Sequence, residues 1–251
     1  MTDFHTHVLP HMDDGAKSVD VASQMLLSAK NQGITTVLAT SHYYGKIQSP
    51  EAYIERRNNS YELLRPHIPE GVTVKLGAEV YLSERMSVDY ERVSKLCVEG
   101  TKYLLVELPF VKNWDSNLYR KLSDLIAETG CTPVLAHVDR YTAFAKHPER
   151  LLDFMKMGCL LQVNSAAFLE RRVKSFALAL LSKGYVHCLG TDMHDTSGRK
   201  CTMASAKQVA EEAGLAEKWE NAQVNMRKIL ADERIEIETP LPIVRCFGKF
   251  R

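Results

Sequence analysis

The sequence predicts an α/β protein whose seven parallel strands close into a barrel. Three observations carry this. Short apolar, often β-branched runs alternate with helical segments, the signature of βαβ units with right-handed crossovers. The runs are apolar throughout, as strands buried on both faces are. Residues able to bind a metal stand just past the C-terminal ends of these runs: His42, Glu79, Glu107, His137 and the pair Asp192/His194. A barrel gathers strand ends on one face, whereas an open sheet would spread them.

The elements follow in order. Asp3-Phe4-His5-Thr6-His7 opens the chain as a strand. Residues i and i+2 of a strand share a face, so His5 and His7 reach one metal ion together. Asp13-Asp14-Gly15 follows in a loop. Apolar spacing predicts a helix over Asp20–Gln32, with Ser18 or Asp20 as N-cap and Gly33 as its stop. Ile34–Thr40 is a β-branched strand ending at His42. Ser49-Pro50-Glu51 gives an N-cap, a proline at N1 and an acidic first turn for a helix to Leu64. Strands follow at Val72–Ala78 and Tyr103–Val106, with a short helix at Ser87–Leu96 between them. Ser116–Thr129 is helical and stops at Gly130. Thr132–Ala136 is a strand ending in His137. A helix at Pro148–Met157 precedes a strand at Cys159–Val163 that ends at Asn164. A helix at Phe168–Lys183 stops at Gly184, and Tyr185–Gly190 is the last strand. Helices at Thr202–Ala213 and Glu217–Leu230 close the globule. The basic tail from Arg245 to Arg251 is expected to be a disordered end.

Composition narrows the class. The 251 residues are 45% hydrophobic and 25% charged, which suits one globular domain over residues 1–251. The net charge is +1, from 32 basic and 31 acidic side chains, so no bulk nucleic-acid partner is indicated. No apolar run approaches the about 20 residues of a membrane helix, and the N-terminus has no signal-peptide pattern. Six scattered cysteines without a Cys-x-x-Cys pair read as reduced, mostly buried thiols of a cytoplasmic protein. Of the remaining histidines, His67 and His147 read as solvated, His187 as a satisfied core residue, and His11 stays open.

Imidazole mixed with carboxylate, without thiolate, suits divalent ions such as Mn²⁺, Fe²⁺ or Zn²⁺. Five imidazoles and several carboxylates exceed the needs of one ion, so a cluster of two or three is implied. Such clusters activate water and clamp phosphoryl oxygens. Other phosphatase chemistries are unsupported. No cysteine is followed six residues later by arginine, there is no Asp-x-Asp pair, and no Walker-type loop occurs. An amidohydrolase would want a lysine ending a middle strand, and none does.

These residues carry a resemblance. Asp3-Phe4-His5-Thr6-His7 with Leu9-Pro10 and Asp13-Asp14-Gly15-Ala16, Gly33-Ile34-Thr35-Thr36 with Thr40-Ser41-His42, and Gly77-Ala78-Glu79-Val80 come first. Glu107, Ala136-His137-Val138-Asp139-Arg140-Tyr141, and Thr191-Asp192-Met193-His194 with Gly198-Arg199 complete the set. Over Met1 to about Leu230 the chain resembles the PHP (polymerase and histidinol phosphatase) superfamily. Within it, the chain is similar to the bacterial capsule-type protein-tyrosine phosphatases that act on tyrosine autokinases of polysaccharide export. The resemblance implies a distorted seven-stranded (β/α) barrel with three metals, Mn²⁺ first and Fe, Zn, Mg or Co as alternatives. One ion would take His5, His7, Glu79 and Asp192. A second would take Glu107 and His137 with Glu79 bridging, and a third Asp14, His42 and His194. Arg140 and Arg199 match phosphate-contacting arginines, a role that suits their forked guanidinium groups; the competing role is an ion pair with Asp139 or Asp195. Three positions depart from the family's usual residues: His11 for Gly, Ser41 for Pro and Asp139 for Glu. None removes a ligand.

The implied substrate is a phosphotyrosine-containing protein, such as a bacterial tyrosine kinase, with His11, Tyr43, Tyr44 and Tyr141 offering aromatic surface at the barrel mouth; the competing role for each of the three tyrosines is packing within its loop. A small-molecule phosphatase such as histidinol-phosphate phosphatase is the second reading. A metal-stabilised interaction module without catalysis is the third, and the full ligand set with both arginines counts against it.

Overall fold

The computed structural model describes residues 1–82, 89–246 and 249–250. Nine short strands build the curled core: β1 (Thr2–Thr6), β2 (Thr36–Ala39), β3 (His42–Tyr43), β4 (Thr73–Leu76), β5 (Glu79–Tyr81), β6 (Tyr103–Glu107), β7 (Thr132–Leu135), β8 (Leu160–Asn164) and β9 (Cys188–Gly190). They pair in the orders β1-β2-β4 and β3-β5-β6-β7-β8-β9, and every pairing among them is parallel. β9 returns beside β1 through a parallel bridge between Thr6 and Met193. There Asp192 N–H donates to the His5 carbonyl at 2.7 Å, and His7 N–H to that of Met193 at 3.0 Å. Gly190 permits this approach, since a Cβ there would stand 2.5 Å from His5 Cβ.

The barrel-like α/β architecture is the expected one, but two staves are broken. The runs predicted as Ile34–Thr40 and Val72–Ala78 hold β2 and β4, and after a break each is followed by a second short strand beyond its predicted end, β3 and β5. The cause is competition for backbone partners. Glu79 N–H is shared between the carbonyls of Thr40 and Ser41, both at 3.1 Å, and the β1–β2 register shifts between Asp3 and Thr6. The break has a use: the β3–β5 register sets His42 directly beside Glu79.

Helices α1 (Val19–Asn31), α2 (Pro50–Leu64), α3 (Tyr90–Ser94) and α4 (Ser116–Thr129) begin at side-chain caps from Ser18, Ser49, Asp89 and Asp115. Each cap oxygen accepts an otherwise unpaired N–H of the first turn. Ser87 and Val88, the predicted start of α3, lie outside the described residues. Helices α5 (Thr142–Lys146), α6 (Arg150–Lys156), α7 (Lys174–Lys183), α8 (Met203–Glu212) and α9 (Ala216–Leu230) complete the layer. α7 is shorter than predicted because Ser165–Phe168 forms a separate 3₁₀ turn and a further turn, Val173 N–H on the Glu170 carbonyl, precedes Lys174. A small hairpin, β10 (Arg245–Cys246) with β11 (Lys249–Phe250), replaces the expected disordered tail. The Phe250 ring rests 4.8 Å from that of Phe176 in α7.

One hydrophobic cluster runs between the sheet and the helices. Cys97, Cys131, Cys159, Cys188 and Cys201 are free and buried, as predicted. His187 is also the core residue it was read as, its Nδ1 accepting from Leu161 N–H at 3.1 Å.

Candidate metal centre

The C-terminal ends of the strands converge on one cup, and all nine candidate ligands line it. The first group is the tightest. His5 Nε2 lies 3.2 Å from His7 Nε2, 3.2 Å from Glu79 Oε2 and 3.6 Å from Asp192 Oδ1. His7 Nε2 lies 3.3 and 3.4 Å from the same two carboxylate oxygens. Donors about 2.1 Å from one ion stand about 3.0 Å apart across an octahedral edge and about 3.4 Å across a tetrahedral one, so these four suit a common ion. At a second pole, His137 Nε2 is 2.9 Å from Glu79 Oε1 and 3.5 Å from Glu107 Oε1. At a third, Asp14 Oδ1 is 3.2 Å from His194 Nε2 and 3.7 Å from His42 Nε2. His42 also turns Nδ1 to Glu79 Oε2 at 3.0 Å, so it borders two poles.

Neighbours hold the imidazoles in the useful tautomer. His7 Nδ1–H donates to Asp13 Oδ2 at 2.7 Å, His5 Nδ1–H to Gln162 Oε1 at 3.2 Å, and His194 Nδ1–H to the Asp192 carbonyl at 2.9 Å. Each bond leaves Nε2 with a free lone pair facing the cup, the arrangement typical of metal-ligating histidines. Gln162 also accepts from His137 N–H and donates to Asn164, whose Nδ2–H₂ donates to Asp192 Oδ2 at 3.0 Å. Sequence reasoning missed Asp13, Gln162 and Asn164 as positioning residues. The signal for the latter two was present: polar residues at i and i+2 in an apolar strand share a face.

The backbone is bent to the same end. His137 and Asp192 have φ of 35° and 54°, a conformation that costs a non-glycine residue about 1–3 kcal/mol. Gly15 carries the loop over His7, where a Cβ would be 2.2 Å from the His7 carbonyl oxygen.

Imidazoles and carboxylates in the cup shift one another's titration. Burial alone would lower the pKa of His7, but its bond to Asp13 and the nearby carboxylates hold it well above the usual imidazole value. His137 is likewise raised against burial, to about 9, by Glu107 and Glu79. Burial would raise Glu79 and Asp192, yet the imidazoles hold both well below the carboxylate range. His194 falls to about 4 through burial and the neighbouring His7. Among the described residues, Glu79 Oε2, His42 Nδ1 and His194 Nε2 are buried with polar neighbours at 3.0–3.3 Å but no well-aligned hydrogen bond. Such atoms are costly unless something pairs with them, and all three face the cup. The donor set therefore fits divalent ions.

Both predicted arginines reach the rim. Arg140 Nη1 is 3.1 Å from Asp192 Oδ2. Arg199 Nη2 is 2.9 Å from Asp192 Oδ1, with Nη1 3.4 Å from Asp14 Oδ2. Neither makes the competing ion pair. Asp139 is buried and accepts from Asn164 N–H, while Asp195 closes a turn onto the backbone N–H groups of Ser197, Gly198 and Arg199. A cavity of about 490 Å³ opens beside them, edged by Asn164, Glu170 and Lys200. The expected aromatic wall is different in kind. Tyr43 and Tyr141 are buried: Tyr43 packs on Tyr53, and Tyr141 Oη clamps the Leu108 backbone. His11 sits in an exposed turn. Tyr44 stays at the mouth, 5.3 Å from His42, and Phe110, which sequence reasoning passed over, stands there exposed.

Fold and site together define a curled parallel α/β protein with clustered candidate metal ligands in a cup at its strand ends. The chain belongs to the capsular polysaccharide synthesis CpsB/CapC family, whose model matches residues 1–231. It is similar to the tyrosine-protein phosphatase CpsB of Streptococcus pneumoniae, 27% identical across 94% of this chain and 100% of the relative. It is also similar to the tyrosine-protein phosphatase YwqE of Bacillus subtilis, 28% identical over the full length of both. A solved structure from the work on YwqE and CpsB, described as unique metal-dependent tyrosine phosphatases, matches with a TM-score of 0.83 and 26% identity. That match covers 98% of this chain and 100% of the other.

Proposed function

We propose that the protein is a metal-dependent protein-tyrosine phosphatase of capsular or extracellular polysaccharide synthesis. Its substrate is phosphotyrosine on a protein, such as a bacterial tyrosine kinase, and it works in the cytoplasm. The observation that carries the reading is the convergence of five imidazoles, four carboxylates and two arginines on one cup. His5, His7, Glu79 and Asp192 would hold one ion, Glu107 and His137 with Glu79 a second, and Asp14, His42 and His194 a third. Mn²⁺ suits this oxygen-and-nitrogen donor set. Bound ions supply charge against the phosphoryl oxygens and an activated water.

The chain's own residues do the rest. Asp13, Gln162 and the Asp192 carbonyl keep protons on Nδ1 of three imidazoles, so the Nε2 lone pairs stay available. Arg140 and Arg199 straddle Asp192, and their remaining N–H groups can take equatorial phosphate oxygens. That contact stabilises charge as it builds in the transition state. A phenolate leaves more readily than an alkoxide, so little proton donation to the leaving group is required. The test compares kcat/KM with Mn²⁺ on phosphotyrosine peptides, phosphoserine peptides and histidinol phosphate. Phosphotyrosine is expected to be best; histidinol phosphate turned over best by tenfold or more would replace this reading with the biosynthetic one.

A further inference from the structure

Phe110 is unusual for its position rather than for being exposed, since single exposed apolar residues are common. It follows Glu107 by three residues and sits at the tip of a tight turn closed by Val111 N–H on the Pro109 carbonyl at 2.9 Å. The turn is pinned from both sides. Tyr141 Oη donates to the Leu108 carbonyl and accepts from its N–H, at 3.0 and 2.9 Å, and Trp114 Nε1–H donates to the Pro109 carbonyl at 2.9 Å. The ring stacks on buried Tyr141 at 4.7 Å and 16°, and near His137 at 5.6 Å and 19°. The Arg140 guanidinium lies 5.2 Å from its centroid. With all these neighbours the side chain is still 52% exposed.

We propose that Phe110 is the specificity residue that receives the phenyl ring of the substrate, an inference that rests on the phosphotyrosine reading above. Phe110 borders both His137, at one pole of the cup, and Arg140, at the phosphate position. In an aryl phosphate, the ring follows phosphorus by a single bridging oxygen. A phosphate held between the ions and Arg140 therefore brings its ring to the pinned Phe110 edge or face. Offset or edge-to-face contact is the favoured geometry for two such rings. An alkyl phosphate has no π-surface to present there. The cavity beside Arg140 is lined by short apolar, hydroxyl, charged and amide side chains with only the buried Tyr141 ring, so it suits polypeptide rather than the ring.

The experiment measures two quantities for wild type and Phe110→Ala, each loaded with Mn²⁺: kcat/KM on a phosphotyrosine peptide and the inhibition constant of inorganic phosphate. Phosphate uses the ions and Arg140 but offers no ring. The proposal expects kcat/KM to fall about fivefold with the phosphate constant and metal content unchanged, and Phe110→Trp to retain wild-type kcat/KM. Equal weakening of both quantities would mean Phe110 acts only by holding Arg140, and overturns the proposal. No change in either also overturns it. A wild-type protein without Mn²⁺-dependent phosphotyrosine turnover would instead refute the underlying function, a result distinguishable before any variant is made.

Discussion

Asp13 is where the structure changes expectations most. The family resemblance makes Asp14 the expected ligand and leaves Asp13 in the turn, with Asp13→Ala the milder change. In the fold, Asp13 Oδ2 accepts from His7 Nδ1–H at 2.7 Å and from His42 N–H at 2.8 Å, while Oδ1 accepts from Gly15 N–H at 2.9 Å. One carboxylate thus sets the tautomer of one ligand and the backbone of another. Its pKa lies below the usual carboxylate range; burial opposes this, and the bond and charge of His7 outweigh it. Removing it strands three donors at about 1–3 kcal/mol each, so after relaxation Asp13→Ala should lose about 3–5 kcal/mol of stability. Asp13→Asn is the finer probe. It has one acceptor oxygen for three donors, so either Gly15 N–H or the His7 pair meets an amide N–H₂. Both changes should weaken Mn²⁺ binding by about 10- to 100-fold, the usual effect of losing such a partner. Calorimetric titration of the metal-stripped protein with Mn²⁺, alongside thermal unfolding, reads both effects. Wild-type Mn²⁺ affinity in both variants would refute the claim that Asp13 orients His7.

Three further outcomes are expected. Asp14→Ala should lose one metal equivalent and most of kcat, read by elemental analysis and steady-state kinetics, because its carboxylate alone links His42 and His194 at the third pole. Arg199→Lys keeps charge but not the planar fork, so kcat/KM should fall at least about tenfold, or ~1.4 kcal/mol; unchanged kinetics with intact metal content would return Arg199 to an ion-pairing role. His187 is held neutral by burial, its pKa lowered from 6.5 to about 4. The unfolded chain therefore binds the proton first as pH falls, so this stabilisation is complete above 6.5 and lost towards about 4, amounting to about 3 kcal/mol. Denaturant titrations across that window should show a shallower pH slope for His187→Asn, which keeps an acceptor for Leu161 N–H.

The ligand cup was legible because each ligand type occupies a fixed place relative to a strand end. His5 and His7 follow from strand periodicity; His42, Glu79, Glu107 and His137 follow from apolar runs that stop abruptly. The broken staves were not legible. Whether Glu79 N–H bonds to its sheet partner or to Thr40 and Ser41 is decided by closure of the whole sheet, and no local propensity encodes it. Tyr43 and Tyr141 stayed open between mouth and interior because a loop tyrosine reads the same whether it faces solvent or packs inward. Phe110 was missed for the converse reason, since nothing local shows that Pro109 and Trp114 lock it outward. Asp13 and Asp14 are identical in type and adjacent, and only the three-dimensional turn separates the carboxylate beside His42 and His194 from the one bonded to His7.

The central claim is that a metal cluster in this cup hydrolyses phosphotyrosine. Its most direct measurement strips the protein with chelator, confirms the loss by elemental analysis, and follows phosphate release from a phosphotyrosine peptide while Mn²⁺ is added back. The account predicts no turnover in the stripped protein and full recovery as Mn²⁺ fills the cup, saturating near three equivalents. Undiminished turnover with no metal detected would contradict it.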